Sequence, residues 1–554
     1  MRRFLRIILF LILLLAAAVA GYFFFGPEAD TRSPWEFVAE DFIYAVESDR
    51  PIEDWRDLSQ TEIWQYLKTN EFFADIEADA DYADSLLSAN DRLLKFVDLG
   101  DMVISAHLTP KEEEDYDFVV LVDLVGNARL VNKFKDWAMP LMNKMGYKVS
   151  KDSYYSYIVY DLYDPKEDLS MYMAAVDNVL MVSYTKSLIE KAIAQSEGSD
   201  IREEPAFKKV KAKTDPGELY NLYVNYATVN QMMAAFTSDM PEMLRELGQT
   251  LTFSALDLSL DDDLATLKGY ALQNDSFPSY LRVFKDVGQG KIRAANILPD
   301  NTAMYTSIGF DDFADFYNRF MGYNQLSDPE GYESMQKSLR QTQRLLKIDF
   351  ERDFFAWMNE EIVSAVIPAD QKGLEYSYYA MLHFEDKDQT QERMNYVLEK
   401  IRKRTPLKFE SVDYRGFEIK YLELNSFFKI FFKKLFSEIE KPHFTYIDDY
   451  VVFSNDTTSL INLIEKYLNG ETLGNDRKYG DFMKNFSSSS NIFNYIQMDY
   501  CYGYIYNTMD AEGKRDIRKN RNYLFSFPQI GLQLYPSGGM YKMDLYGEFE
   551  KPGS

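Results

Sequence analysis

The chain has 554 residues, enough for two or more domains with sizeable cores, and its 61 Lys plus Arg against 88 Asp plus Glu give a net charge of -27. That charge repels nucleic-acid phosphates, so no nucleic-acid partner is expected. One cysteine, Cys501, and three scattered histidines leave no internal disulfide and little material for a zinc centre, and no cofactor or metal is expected.

Arg2, Arg3 and Arg6 precede an uncharged, mostly apolar run over residues 7–25, long enough to cross a bilayer as a helix, and Glu28 and Asp30 follow it. The positive-inside bias predicts a single pass through the inner membrane, with the N-terminus cytoplasmic and the bulk periplasmic or otherwise extracytoplasmic. Ala18-Val19-Ala20 has the look of a signal-peptide cleavage site, but a cut there would expose Phe23, Phe24 and Phe25 to water. The segment therefore reads as a retained signal anchor over residues 1–26, with a short linker at 27–34.

Residues 35–275 read as a first α+β repeat. Trp55, Leu58, Ile63, Trp64 and Leu67 recur at helical spacing, with Ser59 and Glu62 as a capping box. Asp75, Glu77, Asp79, Asp81 and Asp84 lack the glycine and glutamate of a calcium loop, since Ala80 and Leu86 stand in those places, and they read as a solvated helix face. Glu112-Glu113-Glu114-Asp115 reads as a hairpin tip. Tyr154, Ser156, Ile158 and Tyr160 alternate as in a half-buried strand. Ser187 with Glu190 offers a second capping box, and the repeat closes on a hairpin turning at Asp261-Asp262-Asp263.

Residues 276–292, containing Ser276, Pro278, Gly288 and Gly290, read as a linker. Gly288-Gln289-Gly290-Lys291 lacks the spacing of a phosphate-binding loop, and Ile292 stands where a hydroxyl residue is needed. Residues 293–554 then repeat the first body. Val38-Ala39-Glu40-Asp41 answers Leu298-Pro299-Asp300-Asn301, and Ile104-Ser105-Ala106 answers Val363-Ser364-Ala365. Further on, 116–124 answers 376–384, 179–189 answers 451–461, and 219–226 answers 492–500. A closing hairpin around Pro536-Ser537-Gly538-Gly539 answers the first. Each repeat reads as strand, helical pair, two strands, long helix, three strands, helix, strand, helix, hairpin. The expected class is α+β: an N-terminal transmembrane helix and two repeated halves, each a mainly antiparallel sheet with covering helices.

Pro299-Asp300-Asn301-Thr302 opening a strand, the duplicated halves, the anchor and the closing hairpin resemble a bacterial envelope family, the domain of unknown function numbered 3352. The first half departs from the family's opener, with Ala39 in the place of proline and Phe42 in the place of threonine. The resemblance implies a membrane-tethered extracytoplasmic α+β protein and carries over no catalytic residues.

Chemistry-bearing motifs are sparse. His107 and His383 fall in strands and read as packed or hydrogen-bonded; the repeat alignment sets His107 opposite Val366 and His383 opposite Asp123, so neither is a repeated feature. No G-x-S-x-G elbow occurs, Ser487 to Ser490 reads as a loop, and Cys501 reads as packed and inert. Aromatic content is 16%, with 41 Tyr and 40 Phe, and the stretches Tyr154 to Tyr157, Tyr376 to Tyr379 and Tyr500 to Tyr504 read as strands with aromatics on both faces. Phe427, Phe428, Phe431 and Phe432, in an apolar and basic helix, together with Tyr502 and Tyr504, form the candidate surface for a partner or an apolar ligand. The leading expectation is a non-enzymatic binding or scaffold protein for another envelope protein. The alternative is a carrier or sensor of a lipid or other apolar ligand in a cleft between the repeats. A third reading, an envelope hydrolase, requires His107 or His383 beside a serine and a carboxylate.

Overall fold

The computed structural model describes residues 31–70, 73–74, 77, 100–109, 116–124, 146–166, 168–229, 231, 249–369, 375–404, 411–422 and 436–552. The expected anchor at 7–25 lies outside them, as do Glu112 to Asp115 and, apart from Glu77, the acidic run beginning at Asp75. No helix among the described residues is long and apolar enough to cross a membrane. The chain divides after Asn274 into two compact units.

Among the described residues the first unit holds ten strands: β1 Tyr44–Ser48, β2 Met102–Leu108, β3 Tyr116–Asp123, β4 Lys148–Tyr154, β5 Tyr157–Asp164, β6 Leu169–Val176, β7 Val179–Ser183, β8 Tyr220–Asn225, β9 Leu251–Leu260 and β10 Leu264–Gln273. Within the unit they run β4-β5-β6-β7-β3-β2-β1-β8-β9-β10, every neighbouring pair antiparallel. Among its described residues the second unit holds a two-stranded ribbon, β11 Gly290–Lys291 with β19 Ser489–Ser490, and ten sheet strands. These are β12 Met304–Gly309, β13 Met358–Pro368, β14 Tyr376–Phe384, β15 Val412–Tyr414, β16 Phe417–Tyr421, β17 His443–Ile447, β18 Tyr450–Ser454, β20 Ile492–Gln497, β21 Gln529–Ser537 and β22 Met540–Glu548. Their order, β15-β16-β17-β18-β14-β13-β12-β20-β21-β22, is that of the first unit, again wholly antiparallel.

The duplication is therefore a duplication of topology, and pairing fixes its register. Tyr44 pairs with Ala106 and Met304 with Val366, so Ala106 corresponds to Val366 and not, as expected, to Ala365. Val120 pairs with Val182 and Ala380 with Phe453, which likewise shifts 179–189 by one residue against the expected match. Side chains alternate between faces, so each slip would have placed residues on the wrong side of the sheet. Each repeat also has four strands where three are expected. Tyr155 and Ser156 form a turn between β4 and β5, with Tyr155 at φ 50°, and Arg415 at φ 53° with Gly416 at φ 88° turns the equivalent hairpin. Tyrosine hides a left-handed turn position that a glycine would have announced.

Aspartate begins many of the helices. Side chains of Asp312, Asp328, Asp386, Asp456, Asp476 and Asp510 each accept a hydrogen bond from a backbone N–H in the first turn of Phe313–Ser327, Pro329–Leu346, Lys387–Arg402, Thr457–Asn469, Arg477–Phe482 and Ala511–Lys519. Part of the acidic surplus is thus capping chemistry. The two expected capping boxes fail: Thr61, not Ser59, caps Glu62–Leu67, and Lys186–Gln195 starts after Thr185 without a side-chain cap. A hydroxyl caps only where the preceding residue has left the helix, which spacing alone does not reveal.

Residues 276–292, expected as a linker, pack into the second unit. Phe284 stacks on Phe316 with ring centroids 5.7 Å apart, the Tyr541 hydroxyl donates to the Leu281 carbonyl, and Gly290 lies so close to the Glu360 carbonyl that an added Cβ would sit 2.0 Å from its oxygen. The glycine answers a close backbone approach and not a need for flexibility. Ser489 and Ser490, expected in a loop, pair with this segment as β19.

Candidate functional site

The two faces of each sheet differ in cover. One face is sealed. In the first unit Pro205–Lys211 lays Phe207 against Trp35 and Tyr223 at 5.2 and 5.4 Å, and in the second Arg477–Phe482 lays Tyr479 against Tyr495 at 5.1 Å. The other face is apolar and only partly covered. Strands β8 and β12 alternate strictly between buried and partly exposed residues, although the partly exposed ones are Tyr220, Leu222 and Val224, then Met304, Thr306 and Ile308. On β21 the usual polarity is inverted: Gln529 and Gln533 are buried, while Ile530, Leu532 and Leu534 remain partly exposed. The buried amides are satisfied, Gln529 by the Tyr495 hydroxyl and Glu548, Gln533 by Ser487. Ladder pairing sets Met304 beside Ile496 and Ile496 beside Ile530, and Ile308 beside Ile492 and Ile492 beside Leu534, which makes a continuous apolar surface. At its centre Thr306 Oγ1 donates to Asn494 Oδ1 at 2.7 Å. Val46 and Leu222 hold the corresponding positions in the first unit, whose open face lacks this polar spot.

Two histidine networks lie away from the open faces, the first on the sealed side, where Ser105 shares a ladder row with Ala45 and Tyr223. His107 Nε2 is 2.9 Å from Ser105 Oγ and its Nδ1 is 3.5 Å from Asp41 Oδ1, so serine, histidine and carboxylate stand in line. Burial alone would raise the Asp41 pKa, but the bonds from His107 and Lys191 hold it well below the ordinary carboxylate range. Desolvation drives the His107 pKa down. Ser105 is 0% exposed and His107 2%, so no substrate reaches the hydroxyl, and the second unit has Asn301, Ala365 and Ile367 in these places. In the second unit His383 donates from Nδ1 to the Asn359 carbonyl, 3.0 Å away, and its Nε2 lies 3.1 Å from both Arg293 and Asp449. The same location in the first unit carries Asp123, which accepts from Asn178 at 2.6 Å, while Asn178 exchanges bonds with the Arg32 backbone. Both units thus tie the end of the third strand to the turn before β7 or β18 with polar groups, though with different ones. A polar cleft of about 750 Å³ lies beside His383, lined by Trp357, Asn359, Glu385, Asp386 and Lys387 among others.

One carboxyl position is common to both repeats and escaped the sequence comparison, which lacked the register. Asp101 and Glu361 precede equivalent residues of β2 and β13, and both bind protons more tightly than usual. Asp101 is pushed up to about 6 by burial and by the carboxylates of Asp49, Glu47 and Asp123. Glu361 is raised by burial even though Ser307 and Tyr450 donate to it. A folded-state pKa above the unfolded one means that the folded form holds the extra proton between about pH 4 and pH 6, so stability falls as pH rises through that window. Asp101→Asn is expected to remove part of that fall. Urea denaturation at pH 4 and pH 7 checks it, and an unchanged pH slope would refute the assignment.

Of the expected surface residues, Phe427, Phe428, Phe431 and Phe432 lie outside the described residues. Tyr502 and Tyr504 do not lie on a strand: Met498–Thr508 is an α-helix with Met498 and Cys501, three residues apart, as its buried residues, while Tyr502 and Tyr504 stay partly exposed. Cys501 is 1% exposed, and burial pushes its thiol up to about 11. Among the described residues no group of three or more His, Cys, Asp or Glu is arranged to hold a metal ion.

The architecture defines a class, the duplicated α+β protein in which each unit is an antiparallel sheet with covering helices. The chain belongs to the family described as "Protein of unknown function (DUF3352)", whose profile matches residues 132–392 and 264–502. No curated protein matches it. A solved structure titled crystal form III of TP0453 is similar at TM-score 0.24 and 11% identity, covering 48% of this chain and 90% of that one.

Proposed function

We propose that this is a non-catalytic envelope protein, held in the inner membrane by residues 7–25, that takes up a lipid or other apolar ligand on the partly open face of each sheet. One observation carries the reading: apolar side chains occupy most of the partly exposed positions of β8 and β12, and on β21 Ile530, Leu532 and Leu534 stay partly exposed while Gln529 and Gln533 are buried. A soluble sheet normally places its polar residues outward, so a face built in the opposite sense is made to be covered. The ligand then belongs within a unit, and Thr306 with Asn494 offers a polar group to its headgroup in the second. The buried Asp41, His107 and Ser105 array serves packing in this reading.

The test uses the full chain in mild detergent and an apolar fluorophore, N-phenyl-1-naphthylamine. Leu222→Glu together with Leu532→Glu is expected to weaken its binding on the order of tenfold or more, because a carboxylate in an apolar site is strongly disfavoured. Leu532→Met should retain binding and so control for folding. Equal binding by the double variant would overturn the proposal. Labelling of Ser105 by a fluorophosphonate would overturn its non-catalytic part and favour the hydrolase. Failure of binding in the unaltered chain, with crosslinking to another envelope protein in cells, would return the scaffold reading to first place.

A further inference from the structure

The helices after β20 carry a local charge opposite to that of the whole chain. Between Lys514 and Arg521 stand five cations and one carboxylate, in a protein of net charge -27. Among the described residues Lys514, Arg515, Arg518 and Arg521 have no carboxylate partner within ion-pair distance, although the chain contains 88 acids. Three of them lie over aromatic rings instead. Lys514 is 5.7 Å and Arg518 5.6 Å from the centre of Tyr506, and Arg521 is 5.5 Å from Tyr502 and 4.9 Å from Phe525. Tyr502 stacks on Tyr506 at 6.2 Å and packs on Phe525 at 5.2 Å, and exposed Met509 closes Met498–Thr508. Arg515, Arg518 and Arg521 are exposed, and the tyrosines are partly so.

We infer that this basic and aromatic surface, on Met498–Thr508, Ala511–Lys519 and Arg521–Phe525, docks the second unit on an anionic phospholipid surface. Charge complementarity selects an anionic occupant. The interleaved tyrosines, Phe525 and Met509 favour a bilayer interface over an acidic protein, because aromatic rings and a thioether gain from partial immersion at headgroup depth while guanidinium groups hold phosphate. The rest of the chain is repelled by such a surface, so the patch also fixes which side of the unit faces the lipid. The inference stands apart from ligand uptake on the sheet faces.

The experiment places the full chain in nanodiscs of phosphatidylcholine alone or mixed with phosphatidylglycerol, with a polarity-sensitive dye on Asn522→Cys. Cys501 is buried and stays unlabelled. Anionic lipid is expected to shift the dye emission to the blue and to lower its quenching by aqueous iodide severalfold, with both effects reversed by high salt. Combining Arg515→Glu, Arg518→Glu and Arg521→Glu should restore the phosphatidylcholine values, whereas the three Arg→Lys changes should leave docking in place. At these exposed positions the thermal melt of each variant should match the parent. Equal quenching in the two nanodiscs, or an unaltered response in the charge-reversed variant, would overturn the inference. So would protection by soluble polyglutamate but not by anionic lipid, which would assign the patch to an acidic protein.

Discussion

Phe310→Ala is expected to destabilise the second unit by about 4 kcal/mol, the cost of a large cavity in a packed aromatic core. Phe310 is 0% exposed, stacks on Phe316 at 4.9 Å and meets Phe313 at 5.5 Å. Those rings continue to Phe284 and Phe355. The cluster seats Phe313–Ser327 on the end of β12 and also anchors 280–284, so removing one ring loosens both. For a unit of this size the change lowers the melting temperature by about 10 °C. Calorimetry should place the loss in one transition and leave the first unit's transition in place; Phe310→Leu should recover more than half of it. A shift of only a degree or two would mean that the cluster closes over the gap.

Lys211→Met in the first unit removes the cation from a buried group. Glu47 is 8% exposed and accepts hydrogen bonds from Lys211, from the Tyr223 hydroxyl and from Trp35 Nε1. The Lys211 ammonium also lies 4.6 Å from the Trp35 ring and 4.8 Å from the Tyr223 ring. Without it a carboxylate stays in low dielectric with two neutral donors, and a loss of about 3 kcal/mol is expected. Adding Glu47→Gln should recover most of that, because the uncompensated charge and not the lost contact carries the cost. If the double variant is no more stable than the single one, packing of the lysine stem is the cause. Counted from the equivalent helix starts at Pro205 and Arg477, the corresponding residue of the second unit is Met483, which carries no charge.

Much of the architecture was legible from residues alone. The duplication and the closing hairpins follow from period-two and helical spacing, although each repeat holds one strand more than that spacing gave, and the turn at Asp261 to Asp263 lies where Asp261 N–H bonds the Leu264 carbonyl. Local signals failed where a residue served a neighbour distant in sequence. Gly290 reads as flexible and is in fact pressed against Glu360; Tyr155 reads as strand and turns the chain; Tyr500 to Tyr504 reads as strand because aromatic richness masks the spacing of Met498 and Cys501. The one-residue slips in the repeat comparison have the same origin, since side-chain similarity between halves is weak and only ladder pairing discriminates adjacent registers.

The candidate site was the least legible part. Alternation along β8, β12 and β21 marks two faces, but an apolar face reads the same whether helices seal it or leave it partly open. The sequence by itself determined the doubled α+β plan and the surplus of carboxylates, because these rest on composition and on periodicities a few residues long, while short motifs such as Pro299-Asp300-Asn301-Thr302 carried the resemblance to the family. Only the tertiary structure decided which face of each sheet is closed, that Ser105 and His107 are sealed from any substrate, that Asp101 and Glu361 are counterparts, and that Lys514, Arg518 and Arg521 stand over aromatic rings. Each of those depends on where covering helices land, and that is fixed by contacts between residues far apart in the chain.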